Sequence, residues 1–139
     1  ADVTVENKVV GKIGHGLLVF VGVADFDNQQ TADKMIDKMT KLRIFDDADG
    51  KTNLSASDVG GEFLIVSQFT LYADCKKGNR PSFTKAGNPD IANEMYEYII
   101  SEVKKKGFTV EHGIFGADMK VGLVNDGPFT IVLNSEEIM

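Results

Sequence analysis

The spacing of apolar and polar positions divides the chain into elements of different period. Residues Val3 to Val10 are extended in character and flank the turn-prone Glu6-Asn7, which predicts a hairpin. It leads into Leu17 to Val23, a continuously apolar run read as a buried strand, with Gly11, Gly14, Gly16 and Gly22 at turns or bulges. From Asp27 to Arg43 the period lengthens. Ala32, Met35, Ile36, Met39 and Leu42 recur at spacings of three and four on a charged background, the signature of an amphipathic helix with methionine as core filler. After the short apolar Ile44-Phe45, the chain turns through Asp49-Gly50 between two extended pieces. The acidic cluster Asp46, Asp47 and Asp49 lacks the spacing and the closing Glu of a calcium loop, so it reads as a solvated turn.

Phe63 to Val66 forms the apolar core of a central strand that ends in polar Ser67, Gln68 and Thr70, each of which needs a hydrogen-bond partner or a cleft. A glycine-bearing loop from Lys76 to Gly87 follows. Asn88-Pro89-Asp90 then starts a second helix, with Ile91, Met95, Tyr98, Ile99 and Val103 on its apolar stripe and Gly107 placed to end it near Lys106. Strands are expected at Phe108 to Glu111, Met119 to Val124 and Phe129 to Leu133, the last two separated by Asn125-Asp126-Gly127-Pro128. Two helices among several strands joined by tight turns predict an α+β domain: a mostly antiparallel, strongly curved, barrel-like sheet with two flanking helices.

Composition narrows the picture. At 139 residues and 15.2 kDa, residues 1–139 make one domain of ordinary globular balance, 42% hydrophobic and 26% charged. No apolar run is long enough for a membrane span, and the opening residues show no signal-peptide pattern. A cytoplasmic protein is the simplest reading. The lone Cys75 makes no internal disulfide and reads as an incidental thiol. A net charge of −6 argues against coating duplex nucleic acid, and DNA is not an expected partner. It leaves room for a protein that holds only a single-stranded end through backbone amides and one pocket.

Familiar catalytic patterns are missing. There is no phosphate-binding loop, dinucleotide fingerprint or HExxH, and His15 and His112 stand too far from other ligands to suggest a metal. Ser67 lacks the glycines of a nucleophile elbow. Two segments remain chemically odd. Ser67-Gln68-Phe69-Thr70-Leu71 sets hydroxyl and amide groups around a ring, a combination suited to a nucleoside, although a capped strand end has the same composition. Asn125-Asp126-Gly127-Pro128-Phe129-Thr130 joins a permissive glycine to a strand-interrupting proline, and a hairpin turn is the bland reading.

These segments, SQFTL at 67–71 and NDGPFT at 125–130, resemble the two signature motifs of the D-aminoacyl-tRNA deacylase family in order and spacing. RIFDDADGKTNLS, GNRPSF and FGADMKVGLVNDGP are similar to further family segments, so the resemblance spans the chain. It implies hydrolysis of D-aminoacyl-tRNA, with glycyl-tRNA as a further substrate, by a homodimer that needs no cofactor or metal. Each active site would lie at the subunit interface and receive Gly127 and Pro128 of the partner, joined by a cis peptide whose flanking carbonyls hold the substrate's amino group. An L side chain would collide with that rigid corner, a steric rejection that glycine escapes. Gln68 and Phe69 would contact the terminal adenosine, backbone amides near Phe69 and Thr70 would polarise the ester, and Ser67 completes the motif. Thr70 is a candidate nucleophile with no base beside it, which favours attack by water or by the RNA 2′-hydroxyl. Phe83, Phe115 and Met119 are candidate pocket walls, with core packing as the alternative. Arg80 is a candidate phosphate contact or a solvated loop arginine.

The chain departs from the family pattern at its start. Family members carry an additional N-terminal strand of about ten residues, ending in Gln-Arg-Val, whose arginine ties down the glycine-proline loop. This sequence begins at Ala1 without it.

Overall fold

The computed structural model describes residues 1–138. β1 (Asp2–Val5) and β2 (Lys8–Lys12) form the expected hairpin, with Glu6 and Asn7 at φ values of 50° and 64°. Two successive left-handed residues give the turn whose twist matches paired strands. β3 (Gly16–Val21) leads to α1 (Gln29–Lys41), whose N-cap Asn28 accepts from the amide of Thr31. The short hairpin of β4 (Phe45–Asp46) and β5 (Thr52–Leu54) turns at Gly50, where φ is 75°. The Asp47 carboxylate accepts from the amides of Asp49 and Lys51, so the acidic cluster is an internally bonded turn.

α2 (Ala56–Val59) is a single turn that the periodicity does not reveal; Ser55 and Asp58 close it with a capping box. β6 (Glu62–Ser67) follows, then a 3₁₀ turn over Phe69–Tyr72, then α3 (Pro89–Lys105), started by Asn88 and Pro89 and followed by Gly107 at φ 96°. β7 (Val110–His112), β8 (Lys120–Gly122) and the one-turn α4 (Ser135–Ile138) complete the order.

The sheet arrangement agrees with the expected one in part: three of the five strand pairings among the described residues are antiparallel, but the strands are divided among separate sheets. There are three sheets among the described residues: antiparallel β2-β1-β8, parallel β3-β6-β7 and the small β4-β5 pair. They form no closed barrel, and the longest ladder, β3 with β6, is parallel. Long helices lie between β3, β6 and β7, and a parallel pair needs such crossovers. Residues Phe129 to Leu133, expected as a strand, adopt no regular structure.

β6 carries the core on both faces. Phe63 and Ile65 point to the helical layer of Ala32, Ile36, Tyr96, Ile99, Ile100 and Val103, while Leu64 and Val66 point to Val3 and Ile13 beneath the antiparallel sheet. All four are essentially inaccessible, and burial of each such side chain contributes about 1.5–3 kcal/mol. The result is three layers, with helices, parallel sheet and antiparallel sheet stacked on a shared strand.

Candidate active site

The SQFTL segment begins where β6 ends. The Gln68 amide still bonds the Val21 carbonyl at 2.8 Å, continuing the β3–β6 ladder, and the chain then tightens into the 3₁₀ turn. In that turn the amide of Leu71 returns to the Gln68 carbonyl and the amide of Ala73 to that of Thr70. Phe69 and Thr70 occupy its first two positions, where the i→i+3 pattern supplies no acceptor for an N–H. Two adjacent amides are thereby left for an outside oxygen, the donor type that stabilises a developing oxyanion.

Gly22 makes this seat possible. A Cβ built there would lie 3.1 Å from Leu71 Cβ and 3.3 Å from both the Gln68 carbonyl oxygen and the Tyr72 ring. On the other side, buried Tyr96 donates its O–H to the Ile65 carbonyl at 2.8 Å, with the Gly113 carbonyl 3.2 Å away, and so fastens the ends of β6 and β7 together. Burial pushes the Tyr96 phenol up to about 12. Partial burial also raises the pKa of Tyr72, helped by the negative charges of Asp27 and Glu136.

Among the side chains, the Gln68 amide Nε2 donates to Thr70 Oγ1 at 2.5 Å. A carboxamide has no useful basicity, so this bond orients the hydroxyl without activating it as a nucleophile. No histidine or carboxylate among the described residues hydrogen-bonds Thr70 or Ser67; His112 bonds the Gly113 carbonyl and His15 packs edge-on against Phe45. Phe69 is 56% exposed and meets the ring of Phe83 edge to face at 5.1 Å. SQFTL and RPSF are thus joined in space, giving an open aromatic surface beside polar groups. Arg80 stands exposed on the same loop.

The other candidates lie elsewhere. Phe115 packs against Tyr96 on the helical side of the sheet, whereas Met119 packs on the opposite side with Val3 and Leu64. Gly127 and Pro128 occupy an exposed loop, joined by a cis peptide, with Gly127 at φ 140°. Asn125 braces that loop, donating to Thr130 Oγ1 at 2.8 Å and accepting from the Phe129 amide at 2.9 Å. Among the described residues no hydrogen bond links it to the SQFTL turn. Nor do the described residues contain a His, Cys, Asp and Glu cluster suited to a metal.

Comparison with known proteins decides what this arrangement belongs to. Residues 1–134 match the family described as D-Tyr-tRNA(Tyr) deacylase. The chain belongs to this family. Relatives named D-aminoacyl-tRNA deacylase include one from Desulfotalea psychrophila, 54% identical over 99% of this chain and 93% of the relative. Another, from Thermosipho africanus, is 52% identical over the same shares. A solved structure named c-Myc DNA Unwinding Element Binding Protein superposes with a TM-score of 0.90 at 36% identity, covering 96% of this chain and 91% of that one.

Proposed function

We propose that this chain hydrolyses the ester joining a D-amino acid to the terminal adenosine of tRNA, releasing free tRNA and the D-amino acid as chiral proofreading in translation. The observation that carries this reading is membership of the deacylase family along the chain, with the SQFTL turn held open at the end of β6. Phe69 stacks on the adenine and Gln68 hydrogen-bonds the nucleoside, while the amides of Phe69 and Thr70 receive the carbonyl oxygen as it becomes an oxyanion. Water or the RNA 2′-hydroxyl attacks, and Thr70, already bonded to Gln68, orients rather than reacts. Ser67, Phe83, Phe115 and Met119 shape the surroundings of the site.

The working unit is a homodimer in which Gly127 and Pro128 enter the partner's site and reject L side chains. Support comes from the surface: Leu123, Val124, Phe129, Ile131 and Val132 flank this loop and are all exposed, with Val124 at 89% and Val132 at 87%. Clustered apolar exposure of this kind marks an association surface. A cytoplasmic location follows from the substrate; no helix among the described residues is long and apolar enough to cross a membrane.

Purified protein incubated with D-Tyr-tRNA and L-Tyr-tRNA tests the reading. Rapid release of the D form alone is expected. A second reading, a non-catalytic nucleic-acid-binding module, is favoured by the name of the structural neighbour. It predicts tight binding of DNA with no release of either amino acid, and the charge of −6 weighs against it.

A further inference from the structure

The loop beyond the SQFTL turn has a charge quite unlike that of the molecule. Between Asp74 and Asp90 the sequence contains no acidic residue, yet it holds Lys76, Lys77, Arg80 and Lys85 in a chain of net charge −6. All four are exposed. The loop is tied at both ends. Asp74 and Ser82 exchange backbone hydrogen bonds of 2.7 and 2.9 Å, the Asp74 carboxylate accepts from the Lys76 amide, and Gly78 turns the tip at φ 62°. Its far end is anchored by the Gly87 amide on the Val23 carbonyl and the Asn88 amide on Asp25. A Cβ at Gly87 would come within 2.9 Å of that Val23 carbonyl oxygen. Phe83, between the cations, packs on Phe69 of the site.

We propose that residues 75–85 form an electropositive arm that holds backbone phosphates of the single-stranded 3′ end of tRNA, using Lys76, Lys77 and Lys85 beside Arg80. This rests on the deacylase reading. The arm starts next to the ring proposed to stack on the last base, so the phosphates immediately preceding that base fall within its reach. A charged backbone beside a stacked base is the usual pairing in single-strand recognition. Lys85 reaches Asp74 only at 4.0 Å with both exposed, a pairing too weak to withhold it from a phosphate. The other basic run, Lys104 to Lys106, has a sufficient structural explanation, since cations at the end of α3 offset the helix dipole. No helix explains the cations of the arm.

The test compares wild type with the triple variant Lys76→Gln, Lys77→Gln and Lys85→Gln on two substrates: D-Tyr-tRNA, and D-tyrosyl adenosine ester, which carries no phosphate. Between about 50 and 200 mM salt, kcat/KM for the tRNA is expected to fall about tenfold in the variant, and the slope of log kcat/KM against log salt to become shallower by about 1 to 2. Cleavage of the adenosine ester is expected to match wild type. Parallel salt slopes would overturn the proposal, as would an equal loss on both substrates. Salt titration of uncharged tRNA binding needs no turnover, so it judges the arm even if wild type cleaves neither ester, the outcome that would overturn the deacylase reading by itself.

Discussion

In the proposed mechanism the side chains of Thr70 and Gln68 have little chemistry to perform. The 2.5 Å bond between them involves no base, so removal of the hydroxyl should leave the reaction path intact. Thr70→Ala is expected to slow single-turnover deacylation about tenfold, roughly 1.4 kcal/mol of barrier, with tRNA binding retained. Loss of essentially all turnover with normal binding would make Thr70 the nucleophile instead. In the proposed filter Gly127 would act through its backbone. At φ 140° an alanine is strained, and its Cβ would sit 3.2 Å from the Phe129 amide nitrogen. Because the loop is exposed on the single chain, Gly127→Ala should leave the protomer's circular dichroism spectrum unchanged while discrimination between D- and L-Tyr-tRNA weakens. Unchanged discrimination would remove this residue from the stereochemical filter.

At the level of elements, β6 and the pieces packed around its end set the site. Gly22→Ala would press the 3₁₀ turn through contacts of 3.1–3.3 Å, and a fall in kcat of about tenfold with little change in melting is the expected result. Tyr96→Phe keeps the ring but removes the O–H donated to the Ile65 carbonyl, which retains the Gly113 amide as a donor, so the expected cost is about 0.5–1.5 kcal/mol. The pH dependence has a definite sign. The folded protein holds the phenol proton up to about 12 rather than the ordinary 10.0, so this contribution is complete below pH 10 and fades as pH climbs toward 12. Melting curves across that range should fall less steeply for Tyr96→Phe; parallel curves would show that the proton plays no part.

These elements were unevenly legible in the sequence. The hairpin at Glu6-Asn7, both long helices and the four-residue core of β6 follow from period and turn chemistry, and each stands within a few residues of its expected place. Parallel pairing was obscured by the short turns, although helices between β3, β6 and β7 call for it. The stripe of α3 is broader than its expected positions: Ile99 and Val103 are buried and Met95 and Tyr98 pack against the core, Ile91 is 44% exposed, and Ala92, Tyr96 and Ile100 are buried beside them. Tyr96 lies at helical spacing from Ala92, Ile99 and Val103, but its hydroxyl makes it a weak marker of a core position from pattern alone. The 3₁₀ turn at 69–72 carries no periodic signal, and only its polar residues betrayed a site. Gly127 and Pro128 were identifiable by resemblance, not by pattern.

For the whole molecule, the reading requires two copies. Sedimentation or light scattering should return about twice 15.2 kDa, and specific activity should drop on dilution as copies separate. A stable monomer with full activity would remove the partner's role. The shared strand also sets overall stability: Leu64→Ala, at a fully buried site between two layers, should cost about 2–5 kcal/mol and unfold the sheets together, as a single calorimetric transition would show.

The βαβαβ path of β3, α1, β6, α3 and β7 has an electrical corollary. Crossover helices run back against parallel strands, so α1 and α3 both begin at the edge where β6 ends. Each helix start carries about half a positive elementary charge. The opposite ends are negative, but Lys38, Lys41, Lys104 and Lys105 offset them. The start of α3 has carboxylates of its own, Asp90 in its first turn and Asp25 on the Asn88 amide. The folding path therefore leaves at that edge a close alternation of positive and negative groups, and a polyanion approaching it meets them one by one rather than as a uniform field.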